Sequence, residues 1–282
     1  MQRRSYRIAF DTADGVNLAG IVDQSVPEDG EPITGPVAVL SHCYTCGKDL
    51  KALTRLARGL AKQGIHVLRF DMRGIGGSQG QFDQSNFTTN LIDLTAAIET
   101  ATETLGPVST LIGHSFGGAA SLAIAGQIDS SPLPETRWRA IKTIVSIASP
   151  SDTQHLATLL TRMNPSIEAE GQGMVEIGGR QWSITTQMID DFRSHQLDRA
   201  IAQIDCPTLL FHSPVDQTVP YQEATRIIEL MRPSMPQTDD PTALPASSLI
   251  TLSAADHLLV SHPADVELVT QMTAAFIKRH AC

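Results

Sequence analysis

Gly113-His114-Ser115-Phe116-Gly117 fits the pattern Gly-x-Ser-x-Gly. A serine hydroxyl is a poor nucleophile until a base takes its proton, so the motif matters only where the chain presents the serine to one. The apolar run Thr110-Leu-Ile112 precedes it and Gly118-Ala-Ala-Ser-Leu-Ala-Ile-Ala125 follows it. That is a strand, a turn and a helix, the setting of a nucleophile elbow. Such a turn is sharp and strained, and its glycines leave out side chains that would otherwise collide. The helix aims its amino end at the reacting oxygen, which makes the Phe116 N–H a candidate donor to a developing oxyanion. Outside that setting the same residues would be an idle serine in a glycine-rich turn.

The partners of such a serine follow it in the order acid, then histidine. Thr208-Leu-Leu-Phe-His-Ser-Pro-Val-Asp216 places Asp216 just past a late strand, with Val219-Pro220 opening the next helix. An aspartate there can also be a simple turn residue, and Asp152 is the rival acid. Thr251-Leu-Ser-Ala-Ala-Asp-His257 places His257 after the last strand. His42, His66, His114 and His212 sit in or beside earlier strands, His155 and His195 fall in a later insertion, and His280 is at the tail. His262, at the start of the last helix, is the competitor. A second oxyanion donor is expected from Ser41-His-Cys-Tyr-Thr-Cys-Gly47: the Tyr44 N–H, with Cys43 as alternative, and His42 bracing the loop. The chemistry that fits is acyl transfer to water through an acyl-enzyme, with Asp216 orienting and stabilising His257. It needs no metal and no organic cofactor.

These residues need a scaffold. Residues 6–10 and 16–23 alternate around Asp11-Thr-Ala-Asp-Gly15 and read as a hairpin. The runs 37–40, 66–70, 110–112, 141–147, 208–211 and 248–252 are short and continuously apolar, as in strands buried on both faces. Helical spacing covers 48–63, 86–105, 115–127, 220–231 and 263–280. The alternation predicts an α/β fold with helices on both faces of a mixed, mostly parallel sheet. Residues 1–150 and 204–282 form this core. Residues 151–203 break the rhythm and are expected to form a small cap insertion, with helices at 153–163 and 184–203. Residues 232–247 read as a surface loop.

The bulk composition excludes other classes. The 282 residues are 41% hydrophobic and 18% charged, enough for a real core. A net charge of −9 repels nucleic acid and anionic membranes, and scarce aromatics argue against base stacking. No apolar run follows Arg3-Arg4, so no leader is expected, and no segment is apolar enough to span a membrane. The four cysteines are no disulfide framework, and a cytoplasmic location follows. Cys43-x-x-Cys46 lacks the second pair of a zinc finger. The plain expectation is two small packing residues. The alternative is a redox pair whose oxidation distorts the oxyanion loop and lowers activity.

His42-Cys-Tyr-Thr-Cys46 with Lys48-Asp49-Leu50-Lys51, Phe70-Asp-Met-Arg-Gly-Ile-Gly-Gly-Ser78, Asn86-Phe87, Gly113–Gly118, Glu176-Ile-Gly-Gly-Arg180, His212-Ser-Pro-Val-Asp216 and Ala255-Asp-His-Leu-Leu259 together resemble the α/β-hydrolases often fused to an OsmC-like domain. The resemblance runs from about residue 5 to the end. It implies an α/β-hydrolase fold with an eight-stranded sheet, a modest cap, hydrolysis of carboxylic esters, and Ser115, Asp216 and His257 as the triad. No OsmC-like domain follows before Cys282, so no peroxide-reducing role is expected.

The expectation is therefore an esterase acting on a small-molecule ester. A thioesterase, an acyltransferase or a carbon–carbon bond hydrolase would use the same triad. A ligand receptor on this fold would have lost one of its members. Met163, Met174, Trp182 and Met188 would line an apolar pocket or form the cap's own core.

Overall fold

The computed structural model describes residues 2–26, 34–127, 133–231 and 247–281. Among the described residues there are ten strands: β1 (Gln2–Asp11), β2 (Asn17–Val26), β3 (Val37–Ser41), β4 (His66–Phe70), β5 (Val108–His114), β6 (Thr143–Ile147), β7 (Gln172–Ile177), β8 (Arg180–Thr185), β9 (Thr208–His212) and β10 (Ser247–Thr251). Eight form one sheet in the order β1-β2-β4-β3-β5-β6-β9-β10. The pairs β1/β2 and β2/β4 are antiparallel and the rest parallel. The fold is an α/β-hydrolase fold. The expected strands are all found, and the hairpin is longer than alternation suggested, ten residues a side. The expected loop at 232–247 lies, but for its last residue, outside the described residues.

Helices α1 (Lys51–Lys62) and α10 (Pro263–His280) cover one face of the sheet. The other carries α2 (Phe87–Leu105), α3 (Phe116–Ala125), the short α4 (Glu135–Trp138), α8 (Leu197–Ala202) and α9 (Tyr221–Met231). Two separate buried clusters result, one on each face. β3 and β4 are buried along their whole length, which is why they read as continuous apolar runs.

Between β6 and β9 the chain leaves the sheet through α5 (Gln154–Met163), α6 (Ser166–Glu170), the two-stranded β7/β8 sheet, α7 (Thr186–Ser194) and α8. The expected helix at 153–163 is found. The single helix at 184–203 is corrected: β8 ends at Thr185, and α7 and α8 are separated by His195 in extended backbone (φ −81°, ψ 138°). The β7/β8 hairpin was not expected. Gly178 and Gly179 both have positive φ (61° and 74°), as a tight two-residue hairpin turn demands.

The excursion docks on α2 and the loop before it. Asp191 accepts hydrogen bonds from Phe87 N (2.7 Å) and Thr88 N (3.2 Å), beside the Asn86/Thr89 capping box. Its charge faces the positive end of the α2 dipole. The Thr185 hydroxyl donates to Asp83 O, and the Gln187 amide to Asp83 O and Ser85 O.

Candidate active site

Ser115 stands between β5 and α3 with φ 53° and ψ −119°. A non-glycine residue there is strained, and such strain persists only where its surroundings fix it. Ser115 N donates to Ile147 O (2.8 Å), and Gly118 N and Ala119 N donate to Ser115 O (2.9 and 3.1 Å). The glycines serve close approach. A side chain at Gly113 would run into the backbone of Gly117 and Gly118, and one at Gly117 into the carbonyls of Ser41 and His42. The loop after β3 therefore lies directly against the elbow.

Asp216 follows β9 and is 9% exposed. Its Oδ1 accepts from Thr218 N (2.8 Å) and Val219 N (3.0 Å), and its Oδ2 from His257 Nδ1 (2.8 Å). Burial pushes this carboxyl up, but the His257 bond and charge and the two amides outweigh it and hold the carboxyl below its ordinary value. It is a carboxylate at neutral pH. His257 sits in the loop after β10, organised by Asp256, whose carboxylate accepts from the amides of Leu258, Val260 and Ser261.

His257 meets the elbow through His114, a residue that reading by strand order passed over. His114 Nε2 donates to His257 O (2.7 Å), and the ring centroids are 5.1 Å apart. His114 is buried, and burial, then the charge of His257, lowers its pKa to about 3. A neutral ring keeps the donor on Nε2 and adds no charge beside His257. Its place next to Ser115 in sequence was the available signal. The Ser115 hydroxyl has no hydrogen bond to His257 among the described residues, a looseness that serine enzymes commonly show outside the substrate complex. Asp152 is engaged elsewhere, accepting from His155 N (2.8 Å) and facing Arg226. His262 lies exposed at the start of α10.

In the loop after β3, Cys46 N donates to Cys43 O (3.2 Å). Among the described residues no acceptor takes the amide hydrogens of Cys43, Tyr44 or Phe116. The Tyr44 and Phe116 rings meet edge to face at 5.3 Å. Cys43 and Cys46 are joined in a disulfide, which corrects the reading of two separate packing residues. The turn brings their Cα atoms to 5.3 Å, within bridging range. With the bridge closed, the loop makes the turn in which Cys46 N donates to Cys43 O.

An aromatic wall adjoins the elbow. Tyr44 also packs on Phe82 (5.2 Å) and Phe192 (5.8 Å), and Phe82 on Trp182 (4.4 Å). Met188 is buried beneath the Tyr44 hydroxyl, whereas Met163 and Met174 are exposed at 44% and 53% and are core to nothing. Among the described residues no group of three His, Cys, Asp or Glu side chains is placed to hold a metal ion.

Residues 36–238 match the family model described as serine aminopeptidase, S33. The chain is 31% identical to the esterase domain of a Rhodothermus marinus protein, covering 99% of this chain and all of that one with a TM-score of 0.70. Est1E of Butyrivibrio proteoclasticus, solved with ferulic acid bound, gives a TM-score of 0.76 at 19% identity, over 96% of this chain and 98% of that one. The lysophosphatidylserine lipase ABHD12 of Danio rerio is 23% identical over 62% of this chain. The match spans only 42% of that lipase. The uncharacterised protein YfhR of Salmonella typhi is 23% identical over 80% of this chain and 69% of its own length.

Proposed function

The chain belongs to the serine aminopeptidase S33 family of α/β-hydrolases, and we propose that it hydrolyses carboxylic esters of small molecules through an acyl-enzyme on Ser115. The observation that carries this reading is the 2.8 Å Asp216–His257 bond beside a serine held at φ 53°. The family's description speaks of a peptidase. What favours esters is the esterase domain at 31% identity over nearly the whole chain.

Ser115 attacks the ester carbonyl as His257 takes its proton. Asp216 holds the imidazole with Nδ1 protonated and stabilises the charge it gains. The Tyr44 and Phe116 amides, free of other acceptors, hold the oxyanion, each worth about 3 kcal/mol. His257 then gives its proton to the leaving alcohol, and water repeats the cycle to free the acid. Thioesters or another acyl acceptor would pass through the same steps. The excursion 151–203 serves as the cap, and Trp182 from β8 joins Tyr44 and Phe82 in walling the acyl site. No helix among the described residues is long and apolar enough to cross a membrane. The cytoplasm is proposed as the protein's location, the Cys43–Cys46 bridge then being of the kind that thiol exchange opens and closes.

The test is hydrolysis of p-nitrophenyl esters, from acetate to octanoate with a benzoate beside them, by wild type and Ser115→Ala. The reading expects turnover by wild type and a loss of about 10⁶ in kcat for the variant. Turnover that survives in Ser115→Ala would move the nucleophile elsewhere.

A further inference from the structure

The peptide between Cys43 and Tyr44 carries both a carbonyl that the structure holds tightly and the amide hydrogen assigned above to the oxyanion. Cys43 O accepts two hydrogen bonds, from Cys46 N (3.2 Å) and from His42 Nδ1 (2.7 Å). The other nitrogen of His42, Nε2, accepts from Met72 N (3.0 Å). These partners leave the ring no choice of tautomer. A carbonyl can only accept, so Nδ1 carries the hydrogen. An amide N–H can only donate, so Nε2 is bare. The ring is therefore neutral as well, and burial, which disfavours the charged form, acts in the same direction. His42 is completely buried.

A peptide unit is planar, and no peptide among the described residues is cis. Fixing the direction of the Cys43 carbonyl fixes the Tyr44 N–H pointing the opposite way. We infer that His42 is a positioning residue that aims the Tyr44 amide at the oxyanion by gripping the carbonyl of the same peptide. The inference rests on the reading of Tyr44 N–H as a donor in a serine hydrolase. The grip is itself anchored. Met72, which orients the ring, follows Asp71, whose carboxylate accepts from Lys48 N (2.7 Å), Lys48 Nζ (2.7 Å) and Gly77 N (2.9 Å). The loop after β4 thus holds the oxyanion loop at both ends, through the His42 ring at one and at Lys48 at the other. This gives Phe70-Asp-Met-Arg-Gly74 a task that its sequence does not announce.

Two substitutions separate the two bonds of the ring. The amide nitrogen of an asparagine occupies the place of Nδ1 and can still donate to Cys43 O. The amide of a glutamine reaches the place of Nε2, can still accept from Met72 N, and leaves Cys43 O ungripped. Wild type, His42→Asn and His42→Gln are titrated with a fluorophosphonate to count working sites. They are then compared for kcat, for inhibition by an alkyl boronic acid, which forms a tetrahedral adduct, and for inhibition by the product carboxylic acid. His42→Asn is expected within about tenfold of wild type in kcat, and His42→Gln about a hundredfold down, the scale of one oxyanion donor. Boronate affinity should fall in parallel with kcat while product affinity stays level. Equal losses in the two variants, or a kcat loss without a boronate loss, would overturn the inference and leave a merely structural histidine. A wild type that the fluorophosphonate does not label would instead remove the serine-hydrolase reading beneath it. Should a variant fail to fold, the ¹⁵N resonances of His42 in the wild-type protein decide. A neutral ring with the hydrogen on Nδ1 supports the grip, and the other tautomer or a charged ring refutes it.

Discussion

The loops around Ser115 and the excursion 151–203 are held in different ways. Around Ser115 the fixing bonds are directional and run between buried or half-buried groups of the core loops. His42 ties the loop after β3, His114 ties His257, and Asp216 accepts from two backbone amides and the His257 ring with the His212 ring 3.8 Å away. His42 and His114 are kept neutral by burial, so the loops are fixed without adding charge beside Ser115 and His257. The excursion is fixed by half-buried and exposed side-chain bonds, from Asp191, Thr185 and Gln187 to the start of α2 and the loop before it, and by aromatic contacts to Tyr44 and Phe82. The contrast fits the division of labour proposed above. Groups that stabilise a transition state gain from pre-set geometry, whereas groups that admit and sort substrates must let them in and out.

Substitutions on the two sides should then separate in kinetics. The largest effect belongs to Asp216→Asn. It leaves the carboxamide in place but puts an N–H or a weak acceptor where His257 Nδ1 must donate, and kcat should fall by about 10⁴. Steady-state kinetics on one good ester would show it, with KM little changed. A smaller effect belongs to Asp191→Asn on the other side. The neutral amide loses the charge that meets the α2 amino end, and with it about 1 kcal/mol of stability. Burial pushes Asp191 up, but the His195 and Thr88 bonds bring it below the ordinary value. The wild-type contribution is therefore present above the ordinary carboxylate range and is lost as pH falls through the lowered value. Thermal unfolding at pH 7 should drop by a few degrees, KM should shift severalfold, and kcat should hardly move. If Asp191→Asn lowered kcat as strongly as Asp216→Asn does, the two regions would not be distinct.

The same contrast decides what the amino-acid sequence reveals. The strands of the core were legible because β3 to β6 and β9 are buried on both faces and so have no polar alternation to confuse them. Ser115, Asp216 and His257 were nominated because order along the chain constrains such residues, and the structure brings Asp216 and His257 within hydrogen-bond distance. The excursion was not. Its β7 and β8 are half-exposed and carry a weak apolar signal, and only the Gly178-Gly179 pair marked the turn. His42 was expected to brace its loop from its place in it, but His114 escaped for another reason. His114 acts through a ring nitrogen on a backbone carbonyl, and its contact with His257, 143 residues along the chain, leaves no trace in spacing. The bridge between Cys43 and Cys46 was hidden too, because a Cys-x-x-Cys pair reads alike open or closed.

The central claim is that Ser115, and not another of the chain's hydroxyls, is the nucleophile made reactive by its place at the elbow. The most direct measurement is to label the wild-type protein with a fluorophosphonate, digest it, and locate the adduct by mass spectrometry. The account predicts one adduct, on the peptide carrying Gly113-His-Ser-Phe-Gly117, formed in step with loss of ester hydrolysis. An adduct on any other residue, or full labelling with esterase activity intact, would contradict it.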